Sequence, residues 1–366
     1  MGYKILEIAD IIIHVAMKYP LGRLIVQDLD SSLFKDREVM ADITIDITEK
    51  LENQFSIYSG NNFKYNRDLF RFNALSGRVD YTLSNPFSQK PSMLQVALKR
   101  KTLKTRLRSL LYGKEVFEKN IVLSYSLFWY IFQLKLMHKQ KTFLHAAIFS
   151  NHKGEAIAIT GTGGSGKTST LFKILEEGDY HYLAEDFGIV DAEGRSYYNP
   201  KPISIYATDM DYNPKILGRY YHTFSLFEKL FWRIQVGILK RDPVVKSSPY
   251  RILDGKIQKR AKLKKVLYFV REDREMFDIR KLQVDELVAR CRSVAIRELK
   301  SMVEVLSLFQ ANAPNSYPQY TLEAFHTDLS TIYHSCFNQT ENYLVSIPIK
   351  ATPSEIVHYL KQESIV

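Results

Sequence analysis

Through residues 1 to about 95 apolar side chains come in short alternating runs, "ADIIIHV", "VMADITIDI", "QFSIYSG" and "RVDYTL", divided by turn clusters such as "SGNN" and "SNPF". A period of two buries one face of a strand, so the pattern predicts a mainly β N-terminal region. It changes at 98–111, "LKRKTLKTRLRSLL", where Leu103, Leu107, Leu110 and Leu111 share one helical face and six bases from Lys99 to Arg108 fall elsewhere with no acid among them. A solvated helix face or linker fits that stretch, and so does a docking surface for an acidic partner. The most apolar stretch, "IVLSYSLFWYIFQLKLM" at 121–137, contains Ser124, Ser126, Gln133 and Lys135. It is shorter than the ~20 residues a membrane helix needs, which predicts a buried core helix and no membrane span. The chain is thereby expected to divide into a β region with a basic linker helix, 1–120, and a second domain, 121–366.

Beyond 140 the pattern alternates between element types. "TFLHAAIFSN" reads as a strand, Asn151–Gly154 as a turn, and "GEAIAIT" as a short apolar strand of the buried kind. After "GTGGSGKT", Leu171, Ile174 and Leu175 fall at helical spacing, with Gly178 as a stop. "YHYLAEDFGIV", "RSYYNPKPISIYA" and "KKVLYFV" read as strands, and 211–262 as a long irregular segment rich in aromatics and bases. "QVDELVARCRSVAIRELKSMVEVLSLFQ" reads as helix and "NYLVSIPIK" as strand. Thr352, Pro353 and Glu355 form a capping box that opens a last helix. The fold class expected is mixed α/β (α+β).

The glycine loop carries the chemistry. Gly161, Gly166, Lys167 and Thr168 complete G-x-x-x-x-G-K-[ST] between a strand and a helix, the context in which converging backbone N–H groups and a helix N-terminus bind phosphate. Gly161, Thr162, Gly163, Gly164, Ser165, Gly166, Lys167, Thr168 and Ser169 are the expected nucleotide-binding set. Lys167 is to reach the terminal phosphates and the Thr168 hydroxyl to ligate Mg²⁺. A Mg²⁺–nucleotide site also needs a carboxylate for the metal, and a kinase needs a base for its acceptor. Glu185 and Asp186, at the end of the first strand after the loop helix, supply both where the backbone bends.

The net charge of +11 implies affinity for anions, and 45% hydrophobic with 25% charged residues is globular composition. Neither a nucleic-acid fold signature nor aromatic platforms among the bases occur, so no nucleic-acid partner is expected. Cys291 and Cys336 have no metal-ligand spacing and read as idle thiols of a reducing compartment. The N-terminus lacks a signal-peptide pattern, and a cytoplasmic protein is expected. In "GKIQKRAKLKK", 255–265, the bases are expected either to form a mobile loop over ATP, with Arg260 pairing to phosphate, or to be the solvated approach to a strand.

Residues 143–190, "FLHAAIFSNHKGEAIAITGTGGSGKTSTLFKILEEGDYHYLAEDFGIV", resemble the nucleotide-binding core of the HPr kinase/phosphorylases, which share a fold with phosphoenolpyruvate carboxykinase (PEPCK). The matching residues are Leu144-His145-Ala146, the loop 161–168, Gly178 and Ala184-Glu185-Asp186. The resemblance implies an ATP- or GTP- and Mg²⁺-dependent kinase, with Glu185 the base toward an acceptor hydroxyl, Asp186 a Mg²⁺ ligand, and His145 near the phosphates. Relatives assemble into oligomers, so a homo-oligomer is a possible state. Three departures mark the chain. Glu185 stands where the family has Asp, "PKPISIYATDMDY" replaces a glycine-rich segment, and the first 120 residues do not match the family's N-terminal domain. They move the expected acceptor from HPr to a hydroxyl on a small metabolite or a peptide serine. The alternatives are a nucleotide-binding sensor or scaffold without transfer, and a slow NTPase switch.

Overall fold

A computed structural model describes residues 2–17, 33–35, 39–48, 57–59, 63–66, 69–73, 79–85, 90–98, 128–222, 224, 226–238, 244–253, 255–312 and 321–366. They are mixed α/β and divide into two compact units, 1–139 with 299–328 and 140–298 with 329–366. The division falls at 139/140 rather than at 120, and a C-terminal segment belongs with the first unit. Residues 99–111 of the basic segment lie outside the described residues.

The first unit holds an eight-stranded mixed sheet. Its strands are β1 (Tyr3–Ile8), β2 (Ile11–Ala16), β3 (Ile43–Thr48), β4 (Ile57–Ser59), β5 (Phe63–Asn66), β6 (Leu69–Asn73), β7 (Val79–Ser84) and β8 (Ser92–Leu98), in the order β1-β2-β3-β8-β7-β6-β5-β4. The alternation expected of strands is realised: Leu6 and Ile8 of β1 and Ile11, Ile13 and Val15 of β2 are buried. Helix α1 (Phe128–His138) is buried along 131–137, with Ile131, Phe132, Gln133 and Leu136 wholly buried, the core helix expected of the run at 121–137; residues 121–127 of that run lie outside the described residues. Lys135 is buried as well and donates to Lys90 O at 2.7 Å. Burial pushes its ammonium down to about 8. Among the described residues no helix is long and apolar enough to cross a membrane.

The second unit is built on a nine-stranded mixed sheet. It comprises β9 (Lys141–Leu144), β10 (Ala146–Asn151), β11 (Glu155–Gly161), β12 (Tyr180–Ala184), β13 (Gly188–Asp191), β14 (Arg195–Tyr197), β17 (Arg260–Glu272), β18 (Asp278–Lys281) and β19 (Glu341–Pro348). A separate pair is formed by β15 (Ile203–Tyr206) and β16 (Val244–Ser247). The order β12-β10-β11-β17 puts the strand before the glycine loop in the interior, with β17 parallel to it. The hairpin turn falls where expected: Gly154 N donates to Asn151 O, and the Asn151 side chain accepts from the N–H groups of Lys153 and Glu155. Helix α2 (Lys167–Glu177) follows the loop and buries Leu171, Phe172, Ile174 and Leu175, and Gly178 ends it by donating to Ile174 O.

Residues 211–262, expected to be irregular, are largely helical where described. Helix α3 (Ala207–Tyr212) runs into them, and they carry α4 (Pro214–His222), α5 (Leu226–Arg233), a π-turn at Ile234–Ile238 and α6 (Pro249–Ile252). Leu226, Leu230, Ile234 and Ile238 recur every four residues and are exposed. The stretch 283–310, expected to be helical, is helical: it forms two helices, α7 (Val284–Glu298) and α8 (Lys300–Asn312), which belong to different units. Helix α9 (Leu322–Phe337) precedes β19. Helix α10 (Pro353–Gln362) opens with the expected capping box: Thr352 Oγ1 accepts from Glu355 N at 3.3 Å and Glu355 Oε2 from Thr352 N at 2.7 Å. Cys291 and Cys336 are free and buried.

Candidate functional site: a glycine loop facing two acids

The loop between β11 and α2 has a backbone that only glycine tolerates at its two ends. Gly161 sits at φ 141, and a Cβ there would lie 2.5 Å from Phe269 O of the neighbouring strand. Gly166 is the N-cap of α2 at φ 95, and no side chain caps that helix. Its first-turn N–H groups and positive dipole end are therefore left for an external acceptor. Inside the loop, the buried Ser165 Oγ has no hydrogen-bond partner among the described residues. Lys167 is buried and turned back on the loop, donating to Gly161 O at 3.0 Å and Thr162 O at 2.9 Å. Burial lowers its pKa, while the charges of Asp186 and Glu185 oppose that shift.

The acids arrive because two strands break. "TFLHAAIFSN" forms not one strand but β9 and β10, parted at His145, and "YHYLAEDFGIV" forms β12 and β13, parted at 185–187. β10 pairs with β12 and β9 with β13, so both breaks fall at one place in the sheet, between Ile148↔Ala184 and Leu144↔Gly188. A register shift leaves one extra residue in β12 just before the break, and such bulges re-aim the side chains that follow. Asp186 then takes φ 69, with Phe187 N donating to Glu185 O across it. This tight three-residue turn costs on the order of 1–3 kcal/mol for a non-glycine residue. It lets two adjacent carboxylates serve one site.

Thr168 Oγ1 donates to Glu185 Oε1 at 2.7 Å. Asp186 is met by His145, Nδ1 to Oδ1 3.2 Å, and by the ammonium of Lys201. Lys201 also lies 4.3 Å from the centre of the Phe187 ring. The two acids are driven apart: burial and the charge of Asp186 push Glu185 up to about 7. Burial presses Asp186 upward too, but Lys201 and His145 outweigh it and hold that carboxyl well below its ordinary value. The structure thus brings together Lys167, Thr168, Glu185, Asp186 and His145 as expected. Ser169 Oγ, of the next residue after Thr168, donates to the buried Asp209 at 3.0 Å.

Arg260 is not brought there. It opens β17 opposite Tyr197 of β14, whereas Phe269, nine residues on, faces Gly161. In an extended strand nine residues span roughly 30 Å, so Arg260 lies at the far end of the sheet from the loop. The segment 255–265 is mostly strand rather than a mobile loop over a nucleotide, and Lys256 is spent on Leu175 O at the C-terminus of α2, 2.7 Å away. The segment leads into a strand, with Lys259, Arg260 and Lys264 exposed and Lys262 and Lys265 hydrogen-bonded to neighbouring segments. Residues that the sequence did not flag are Lys201, Asp209 and Arg271. Only the "NPKP" turn after β14 gave a signal for Lys201, since a rigid turn can fix a side chain over its neighbour.

The oxygen donors Thr168 Oγ1, Glu185 and Asp186 fit Mg²⁺, which takes one or two carboxylates and fills its shell with phosphate and water. Among the described residues no group of three or more His, Cys, Asp or Glu side chains is arranged to hold an ion by itself. A groove of 470 Å³ beside Asp285, Arg292, Ser330 and His334, between α7 and α9, contains none of the loop residues. The chain matches no protein-family model and no curated protein sequence.

Proposed function

We propose that the second unit is a kinase of HPr kinase/PEPCK-like architecture that binds ATP or GTP with Mg²⁺ and transfers the γ-phosphate to a hydroxyl. One observation carries the reading. A glycine loop with an uncapped helix N-terminus holds Lys167 and Thr168 against a carboxylate pair, Glu185 and Asp186, with His145 beside them. Mg²⁺, when bound, supplies charge neutralisation at the phosphates. The chain does the rest by position. Lys167 turns from its own carbonyls to the terminal phosphates, and the loop N–H groups fix the polyphosphate. Asp186, already facing a cation in Lys201, is the metal ligand. Glu185, partly buried and near neutrality, takes the proton of the acceptor hydroxyl as its oxygen bonds to phosphorus and the bridge to the nucleoside diphosphate breaks.

A hydroxyl acceptor follows from Glu185. A carboxylate or phosphate acceptor has no proton to lose, and a second acid beside Asp186 would there add only repulsion. The acceptor is a small hydroxyl-bearing metabolite or a peptide serine. The test is incubation with γ-labelled ATP and a cell extract, with mass spectrometry of the labelled species. An acid-stable phosphate ester is the expected product. An acid-labile product would contradict the role of Glu185. Release of free phosphate alone would point to an NTPase switch, and binding without turnover to a sensor or scaffold.

A further inference from the structure

Arg271 stands two residues beyond Phe269 on β17, beside the end of β11 from which the loop departs. Its Nη1 donates to Ile349 O at 2.7 Å, and Pro348 O lies at 3.5 Å. Its Nη2 would be 3.0 Å from a Cβ on Gly166, so the guanidinium lies against the N-cap of α2. Among the described residues no carboxylate pairs with it. A cation placed at the positive end of an uncapped helix, next to the start of which Lys167 is buried, is repelled by both. The arrangement makes electrostatic sense with an anion between them. An independent observation that points to a ligand is Ser165, 4% exposed, whose Oγ inside the loop has no hydrogen-bond partner among the described residues. The strand order β12-β10-β11-β17 sets Glu185 and Asp186 on one flank of the loop and Arg271 on the other.

We propose that Arg271 is a phosphate-binding residue of this site, its guanidinium taking an oxygen of the nucleotide polyphosphate on the flank away from the metal acids. Nη1, tied to the Ile349 carbonyl, fixes the plane of the group, and Nη2 is the donor presented to the ligand. Gly166 is required on two counts, for its positive φ and because a side chain there would press on that donor. The contact does not pass through the metal, so its contribution persists when Mg²⁺ is removed. The proposal rests on the nucleotide reading above.

The test uses the full chain with Arg271→Gln, which keeps a donor for the Ile349 carbonyl and loses the charge, and Arg271→Lys, which keeps the charge without the fork. Calorimetry with ATP is run with Mg²⁺ and with a chelator, alongside thermal melting. Affinity of the Gln variant is expected to fall by about 10- to 100-fold in both conditions, with the Lys variant between it and the unmodified protein. The ligand-free melting temperature is expected to stay the same or rise, because a repelled cation is gone, while the rise induced by ATP shrinks. If the unmodified protein binds ATP, Lys167→Ala loses it and both Arg271 variants bind within two-fold of normal, Arg271 is only a strap to the 348–349 turn. The nucleotide reading then stands without it. If the folded, unmodified protein binds no ATP, the nucleotide reading falls and this proposal with it.

Discussion

Replacing Lys167 with alanine is expected to lower Mg²⁺-dependent ATP turnover by about 10³-fold or more while the protein stays folded. The ammonium is the one side-chain cation of the loop, held by Gly161 O and Thr162 O. On the proposed kinase reading, no other side chain of the loop offers a charged donor to the γ-phosphate. Removing it deletes a buried charge whose desolvation already lowers its pKa, and it takes a donor from a buried Gly161 O and a part-buried Thr162 O, so relief of the one offsets loss of the other. The change in ligand-free stability is therefore small, about 1 kcal/mol or less. Phosphate release assays and a thermal melt measure the two halves of this expectation. Retained turnover would remove the loop from the chemistry.

Glu185→Gln is expected to retain ATP affinity and to lose about 10²–10⁴ in transfer rate, the usual contribution of a positioned base. Glutamine keeps an oxygen for the Thr168 hydroxyl but cannot take a proton. The same substitution has a signature in stability. The folded-state pKa of Glu185 is raised from 4.5 to about 7, so its contribution is intact below about pH 4.5 and is lost as pH rises through about 7. In ligand-free protein the Gln variant is thus expected to melt higher than the unmodified protein at pH 8 and no higher at pH 4. Denaturation at the two pH values checks it. Lower activity with higher alkaline stability marks a group buried for function; unchanged turnover would assign the base elsewhere.

Much of the site could be read from local sequence because its determinants are local. Loop glycines, the Asn151–Gly154 turn, the Gly178 stop and the Thr352–Glu355 box each act within a few residues, and each stands where expected. The Glu185-Asp186 bend was also legible, as two acids at a strand end. The interruption of "TFLHAAIFSN" at His145 was not. Its residues stay apolar through the break because the segments on both sides are buried, and only the change of partner from β13 to β12 divides them. Arg260 and Arg271 show the same limit. Both flank one apolar run, and composition favoured the more basic end, but it is the parallel pairing of β17 with β11 that puts residue 271 at the loop and residue 260 far away. The helices within 211–262 were hidden by the mix of aromatics and bases that read as irregular; Pro214 and Pro249, which stand at helix starts, where proline is at home, were the signals that could have shown them.

The glycine loop is expected to bind a nucleotide together with Mg²⁺. Isothermal titration of the folded protein with ATP and with GTP, each with Mg²⁺ and with a chelator, tests it most directly. The expected result is one-to-one binding of at least one nucleotide that weakens when Mg²⁺ is withdrawn and is lost in Lys167→Ala. Absence of binding by either nucleotide to folded protein in the presence of Mg²⁺ would contradict it.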